Sequence, residues 1–66
     1  MALTINGVSR RFEDAPNVAQ LLECLQLKGK RLALERNGEI VPRSRFKQEM
    51  LNNGDKLEIV IAVGGG

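Results

Sequence analysis

The 66-residue sequence has no histidine, tryptophan or tyrosine, and only one cysteine, two phenylalanines and two prolines. Without histidine, and with a single cysteine, it holds no Cys/His zinc site and no Ser–His or Cys–His catalytic pair, so no metal site is expected. One cysteine closes no internal disulfide. Phe12 and Phe46 cannot form the exposed aromatic row on which single-stranded bases stack, so no nucleic-acid partner is expected. No apolar run approaches the roughly 18 residues needed to span a bilayer. The opening Met-Ala-Leu-Thr-Ile-Asn-Gly lacks a charged segment followed by a long apolar stretch, so neither a membrane partner nor a signal peptide is expected. The expected setting is cytoplasmic and reducing.

Hydrophobic residues make up 42% of the chain and charged residues 27%, the balance of a folded domain. A chain this short makes one domain and buries only about 60% of the surface its unfolded form exposes, so its core must be simple and nearly complete. The net charge of +2 mildly favours acidic partners. Arg10-Arg11 and Lys30-Arg31 read first as solvated surface.

Leu3 and Ile5 alternate with Ala2, Thr4 and Asn6, the pattern of a half-buried strand. Asn6-Gly7 marks a hairpin turn, and a second strand follows over Val8–Glu13. There Val8, Arg10 and Phe12 share a face, so either Arg10 lies near an edge with its head in solvent or a bulge resets the register. Asp14, Ala15 and Pro16 break the strand. Asn17 with Gln20 forms a capping box, and Val18, Leu21, Leu22 and Leu25 make the apolar stripe of a helix. That helix is expected to end near Gln26, with Gly29 closing the connection and Cys24 at the border of the stripe. A strand over Arg31–Arg36 follows, then Asn37-Gly38, the strongest hairpin signal, and a short strand Glu39-Ile40-Val41 stopped by Pro42. Residues 43–51 read as a turn or 3₁₀ segment tucking Phe46, Met50 and Leu51 inward. After the turn cluster Asn52-Asn53-Gly54-Asp55, Leu57 to Val63 forms the clearest strand, apolar enough to be central. Leu57, Ile59, Ile61 and Val63 face one side; Glu58, Val60 and Ala62 face the other. The order predicts an α+β mixed sheet with one helix across one face. Its expected core is Leu3, Ile5, Leu21, Leu22, Leu25, Leu57, Ile59 and Ile61.

The chemistry concentrates at Val63-Gly64-Gly65-Gly66. Three glycines do not extend a packed strand, so the domain is expected over residues 1–63 and a flexible tail of about 10 Å over 64–66. The tail reads either as a frayed end or linker remnant, or as a slim extension that presents a terminal carboxylate. The second reading suits a narrow enzyme channel, because no Cβ obstructs threading. A carboxylate is a poor electrophile and needs activation, most simply by ATP as an acyl-adenylate, which a sulfur nucleophile then displaces. On this reading the protein is a substrate or carrier and not a catalyst, and it binds no cofactor of its own.

A strand–strand–helix–strand–strand–strand order ending in Gly-Gly resembles the ubiquitin-like β-grasp sulfur carriers, and within them the thiazole-biosynthesis carriers of the ThiS family. The resemblance spans nearly the whole chain. It rests on Leu3, Ile5, Asn6 and Gly7, on Val18-x-x-Leu21-Leu22, and on Leu34-Glu35-Arg36-Asn37-Gly38-Glu39-Ile40-Val41-Pro42-Arg43 with Phe46 behind it. It continues through Gly54-Asp55-x-Leu57-Glu58-Ile59-Val60 to the final glycines. It implies that an E1-like enzyme adenylates the Gly66 carboxylate, with Gly64 and Gly65 as the slim approach. A cysteine desulfurase or related donor then supplies sulfur for a thiocarboxylate, and thiazole synthase takes that sulfur. Val60 and Ala62, rimmed by Glu58 and basic residues, are the expected docking patch for the adenylating enzyme. Three rivals stay open: the small subunit of molybdopterin synthase, a ubiquitin-like protein modifier, and a basic RNA-binding module.

Overall fold

A computed structural model describes residues 1–13 and 17–62. Asp14, Ala15 and Pro16, together with Val63 and the tail Gly64, Gly65 and Gly66, lie outside the described residues, as does the expected boundary at residue 63.

Two Asn-Gly pairs set the hairpins. Asn6 and Gly7 have φ of 51° and 82°, and Asn37 and Gly38 have φ of 52° and 86°, the left-handed pair that a type I′ turn requires. Strand β1 (Ala2–Ile5) therefore folds back on β2 (Val8–Arg11), and β3 (Leu32–Arg36) on β4 (Glu39–Val41). Strand β5 (Lys56–Ile61) enters between the hairpins, parallel to β1 and antiparallel to β3, giving the order β2-β1-β5-β3-β4. One helix, α1 (Val18–Cys24), packs on one face. This is the α+β β-grasp arrangement read from the sequence, with the expected strand at its centre.

Strand β2 pairs with β1 from Ile5↔Val8 to Ala2↔Arg11 in continuous register. Arg10 thus takes the edge solution, and its guanidinium lies 6.0 Å from the Phe12 ring centroid, within cation–π range.

The seven-residue helix is too short to be stable by propensity, so its ends and packing hold it. The Asn17 side chain accepts from the Gln20 N–H at 2.8 Å, and the Gln20 side chain accepts from the Asn17 N–H at 3.1 Å, completing the capping box. The Val18 and Ala19 N–H groups donate to the Glu49 and Phe46 carbonyls, so the 46–49 loop closes the remaining end. Gln26 takes the left-handed position that ends the helix, with φ of 61°, and Gly29, with φ of 82°, turns the connection that follows, as expected. The Gln26 N–H donates to the Glu23 carbonyl at 3.0 Å and the Leu27 N–H to the Leu22 carbonyl at 2.8 Å, which is a Schellman closure. The helix therefore stops at Cys24, before Gln26.

The buried apolar side chains are Leu3, Ile5, Val18, Leu21, Leu22, Leu34, Val41, Leu51, Leu57 and Ile59. Two expected core members fall outside this set. Leu25 is half-buried, and Ile61 is 39% exposed, because the helix ends before it can cover the last turn of β5. Met50 is exposed as well, while Leu51 points inward and Phe46 packs at the margin.

Asp55 is the one buried charged side chain among the described residues, 8% exposed. Its Oδ2 accepts from Arg36 Nε and from the Asn52 N–H, each at 2.8 Å, and its Oδ1 accepts from Asn37 Nδ2 at 3.0 Å. Arg36 also donates to Glu49 Oε2 at 2.9 Å. Burial pushes the Asp55 carboxyl up, but the Asn52 N–H, the Asn37 amide and the Arg36 guanidinium outweigh it and hold the pKa below the ordinary 3.8. The hydrogen bonds to Asp55 and then to Glu49 hold the Arg36 guanidinium above its ordinary value, against the effect of burial.

Two predictions follow from this packing. Leu22→Ala lowers unfolding free energy by about 2–5 kcal/mol, since the side chain is buried, and denaturant melts check it. Asp55→Asn costs about 1.5–3 kcal/mol at neutral pH, through loss of charge-assisted bonds. Because the folded pKa lies below the unfolded one, the ionised form stabilises fully above about pH 4 and loses its effect as pH falls through the folded value. The wild type and Asp55→Asn melts therefore converge in acid.

Candidate docking site beside the C-terminal strand

The period of two along β5 divides its side chains cleanly. Leu57 and Ile59 are buried under the helix, whereas Glu58, Val60 and Ala62 are exposed, Val60 at 66%. The structure thus places the three expected docking residues together on the open face of the sheet. Strand pairing adds others. Ala33 stands opposite Val60, Glu35 opposite Glu58, and Ile40, 74% exposed, opposite Glu35. The Ala62 N–H donates to the Arg31 carbonyl at 2.9 Å, which carries the ladder one step beyond Ile61. The open face is therefore an apolar strip of Val60, Ala33, Ala62 and Ile40 around an acidic pair, with Arg31 and Lys56 at its borders. Two carboxylates directly opposite on one sheet face repel each other, so this pair favours a cation on whatever covers it.

The end of β5 is held by a side chain. Strand β1 leaves β5 at the Asn6-Gly7 turn, yet Asn6 Nδ2 donates to the Ile59 carbonyl at 3.0 Å and Asn6 Oδ1 accepts from the Ile59 N–H at 2.7 Å. The amide supplies the next ladder bonds that β1 no longer can. The strand is consequently paired on both edges up to Ile59, two residues short of its end.

The helix side of the same strand end carries a shallow apolar groove. Ile5, Val8, Leu25, Leu27, Ile59 and Ile61 line it. Apolar surface therefore flanks the end of β5 on both faces, the end that precedes Gly64, Gly65 and Gly66 in sequence. Those glycines lie outside the described residues. Cys24 is exposed at the end of α1. Among the described residues no cluster of three or more His, Cys, Asp or Glu could hold a metal ion, and no helix is long and apolar enough to cross a membrane. The arrangement is an exposed apolar strip with an acidic pair beside a strand end.

Sequence reasoning placed Glu58, Val60 and Ala62 on the open face but did not bring Ala33, Glu35 or Ile40 beside them. Ile40 carried one usable signal: in Glu39-Ile40-Val41 adjacent apolar residues point to opposite faces, so only one can reach the core.

The ThiS family model matches residues 3–66. A thiazole synthase of Paramagnetospirillum magneticum is 48% identical over 66 residues, covering the whole chain but 20% of that protein. The chain thus spans about a fifth of that relative's length. The sulfur carrier protein ThiS of Bacillus subtilis is 37% identical over 65 residues, covering 97% of this chain and 98% of its own. The crystal structure of the thiamine biosynthesis protein ThiS from Geobacter metallireducens covers both chains completely, at a TM-score of 0.85 and 33% identity.

Replacing Val60 by Asp leaves the fold intact, at a cost of about 1 kcal/mol, the span of strand preference at an exposed position. Circular dichroism melts check this, and a loss the size of a core truncation counts against an open face.

Proposed function

The chain belongs to the ThiS family of sulfur carrier proteins of thiamine biosynthesis, and from that membership we propose that it carries sulfur as a thiocarboxylate on Gly66 for thiazole formation. The observation that carries the proposal is the family match over residues 3–66, which includes the final glycines. The central strand, held on both edges up to Ile59, supports the reading because the glycines follow it closely in sequence.

The chemistry has three stages. An E1-like enzyme joins the Gly66 carboxylate to the α-phosphate of ATP, releasing pyrophosphate and leaving an acyl-adenylate. A sulfur nucleophile then attacks the acyl carbon and expels AMP. Hydrosulfide gives the thiocarboxylate directly; a persulfide from a cysteine desulfurase or related donor gives an acyl disulfide that a thiol must cleave. Finally thiazole synthase takes the sulfur, and water at the acyl carbon restores the carboxylate. The carrier contributes recognition and reach, while ATP is consumed by the partner. Gly64 and Gly65 serve as the slim approach, and the adenylating enzyme docks on Val60, Ala62 and Glu58, extended by Ala33, Glu35 and Ile40. A basic residue of that enzyme meets the Glu35–Glu58 pair. The thiazole synthase relative, one-fifth of which aligns with this chain, favours thiazole over molybdopterin as the destination. These reactions belong to the cytoplasm.

Intact mass spectrometry after incubation with the cognate adenylating enzyme, ATP and a sulfur donor tests the proposal. The expected product exchanges one oxygen for sulfur, and fragmentation places it on Gly66; sulfur on Cys24 overturns the assignment. Deleting Gly66 shortens the chain by about 3.3–3.6 Å. Since a misplacement of about 1 Å costs on the order of 100-fold, adenylation falls by at least that factor. Gly65→Val is nearly as harmful, because a branched Cβ resists both a narrow channel and a positive φ. Val60→Asp raises KM for the carrier, and unchanged kinetics count against the docking surface.

A further inference from the structure

A second surface lies on the helix side of the sheet, away from Val60. Between the end of α1 and the 3₁₀ turn Arg43–Arg45, a cleft of about 630 Å³ opens over Ala19, Leu22, Leu27 and Phe46. Leu22 is buried and the other three are half-buried, so the floor is apolar and reachable. The rim carries Lys28, Lys30, Arg43 and Lys47 against one acid, Glu23. That is four positive charges less one negative, +3, whereas the whole chain carries +2. All residues outside the cleft therefore sum to −1, and the positive surplus of the protein sits on this rim. Little of it is neutralised: Glu23 pairs with Lys28 at 3.1 Å, while Lys30, Arg43 and Lys47 make no ion pair among the described residues.

We propose that this cleft docks an acidic segment of a partner protein, one that seats an apolar side chain on the Leu22–Leu27–Phe46 floor and sets carboxylates against Lys30, Arg43 and Lys47. Charge complementarity selects the sign, and the apolar floor selects the class of ligand. A phosphate backbone would satisfy the rim but leave the floor wet, and Phe46, already packed at the core margin, is the single aromatic ring there to stack a base. The cleft and the open sheet face lie on opposite sides of the sheet, so a protein held here leaves Val60 and the end of β5 accessible. The carrier then has two independent handles. The binding itself does not depend on the thiocarboxylate reading, because it is measured without any enzyme.

The test is a titration of the ¹⁵N-labelled protein with a short synthetic peptide in which Leu and Phe alternate with Glu and Asp. Parallel arms use the same peptide with Ser for Leu and Phe, and a single-stranded RNA. The expected result is saturable binding, with shifts at Ala19, Leu22, Leu27, Phe46 and Lys47. Affinity falls with added salt, and by about tenfold or more in the double variant Lys30→Glu, Lys47→Glu. Both substituted residues are exposed, so the variant melts like the wild type. The Ser peptide binds markedly more weakly. Four results overturn the proposal: no saturable binding, shifts confined to the open sheet face, equal binding of the Ser peptide or of RNA, or shifts that track protein concentration and so report a second copy of the chain.

Discussion

The register of β5 is the constraint on which everything else depends. Side chains pin it at two points. At its start, Asp55 gathers the Asn52 N–H, the Arg36 guanidinium and the Asn37 amide, and Asn37 exchanges bonds with the Lys56 backbone in both directions. At its middle, the Asn6 amide occupies both polar groups of Ile59. A slip of one residue would exchange the two faces, burying Glu58 and Val60 under the helix and exposing Leu57 and Ile59. It would also displace the strand end by about 3.3 Å. The two Asn-Gly turns are thus more than corners, since each asparagine also reaches β5.

Charge is distributed unevenly about this frame. The open face of the sheet holds Glu35 opposite Glu58, while the helix side holds the basic rim of Lys28, Lys30, Arg43 and Lys47. A net charge of +2 conceals this polarity. An approaching protein is oriented by the local field rather than the sum, so the basic rim and the Glu35–Glu58 pair, bordered by Arg31 and Lys56, present different fields to it.

Much of this was legible from residues alone, for identifiable reasons. Asn-Gly at both hairpins, and the Asn17–Gln20 capping box, state their conformations locally. Alternation along β5 assigned Val60 and Ala62 to the open face before any strand order was known. What escaped is what depends on distant segments. Gln26 takes a left-handed conformation that glycine usually marks, because the Leu22 and Glu23 carbonyls need donors there. Alternation puts Ile61 on the helix side but says nothing of whether a seven-residue helix reaches it. The Glu35–Glu58 pair exists only through the β3–β5 register, which no local pattern encodes. For the glycines themselves the chain offers chemistry and family membership, since they lie outside the described residues.

The open face is also small. Two of its four apolar members, Ala33 and Ala62, contribute only a methyl group each, leaving Val60 and Ile40 as the substantial contacts. Contacts of such modest area do not hold a partner for long. On the proposed function a carrier loaded by one enzyme and emptied by another must leave both, and a patch with half of its apolar members alanine favours fast dissociation. Enlarging Ala33 to a bulkier apolar residue would lengthen each residence and so slow the circulation of the carrier, even as every single encounter became tighter.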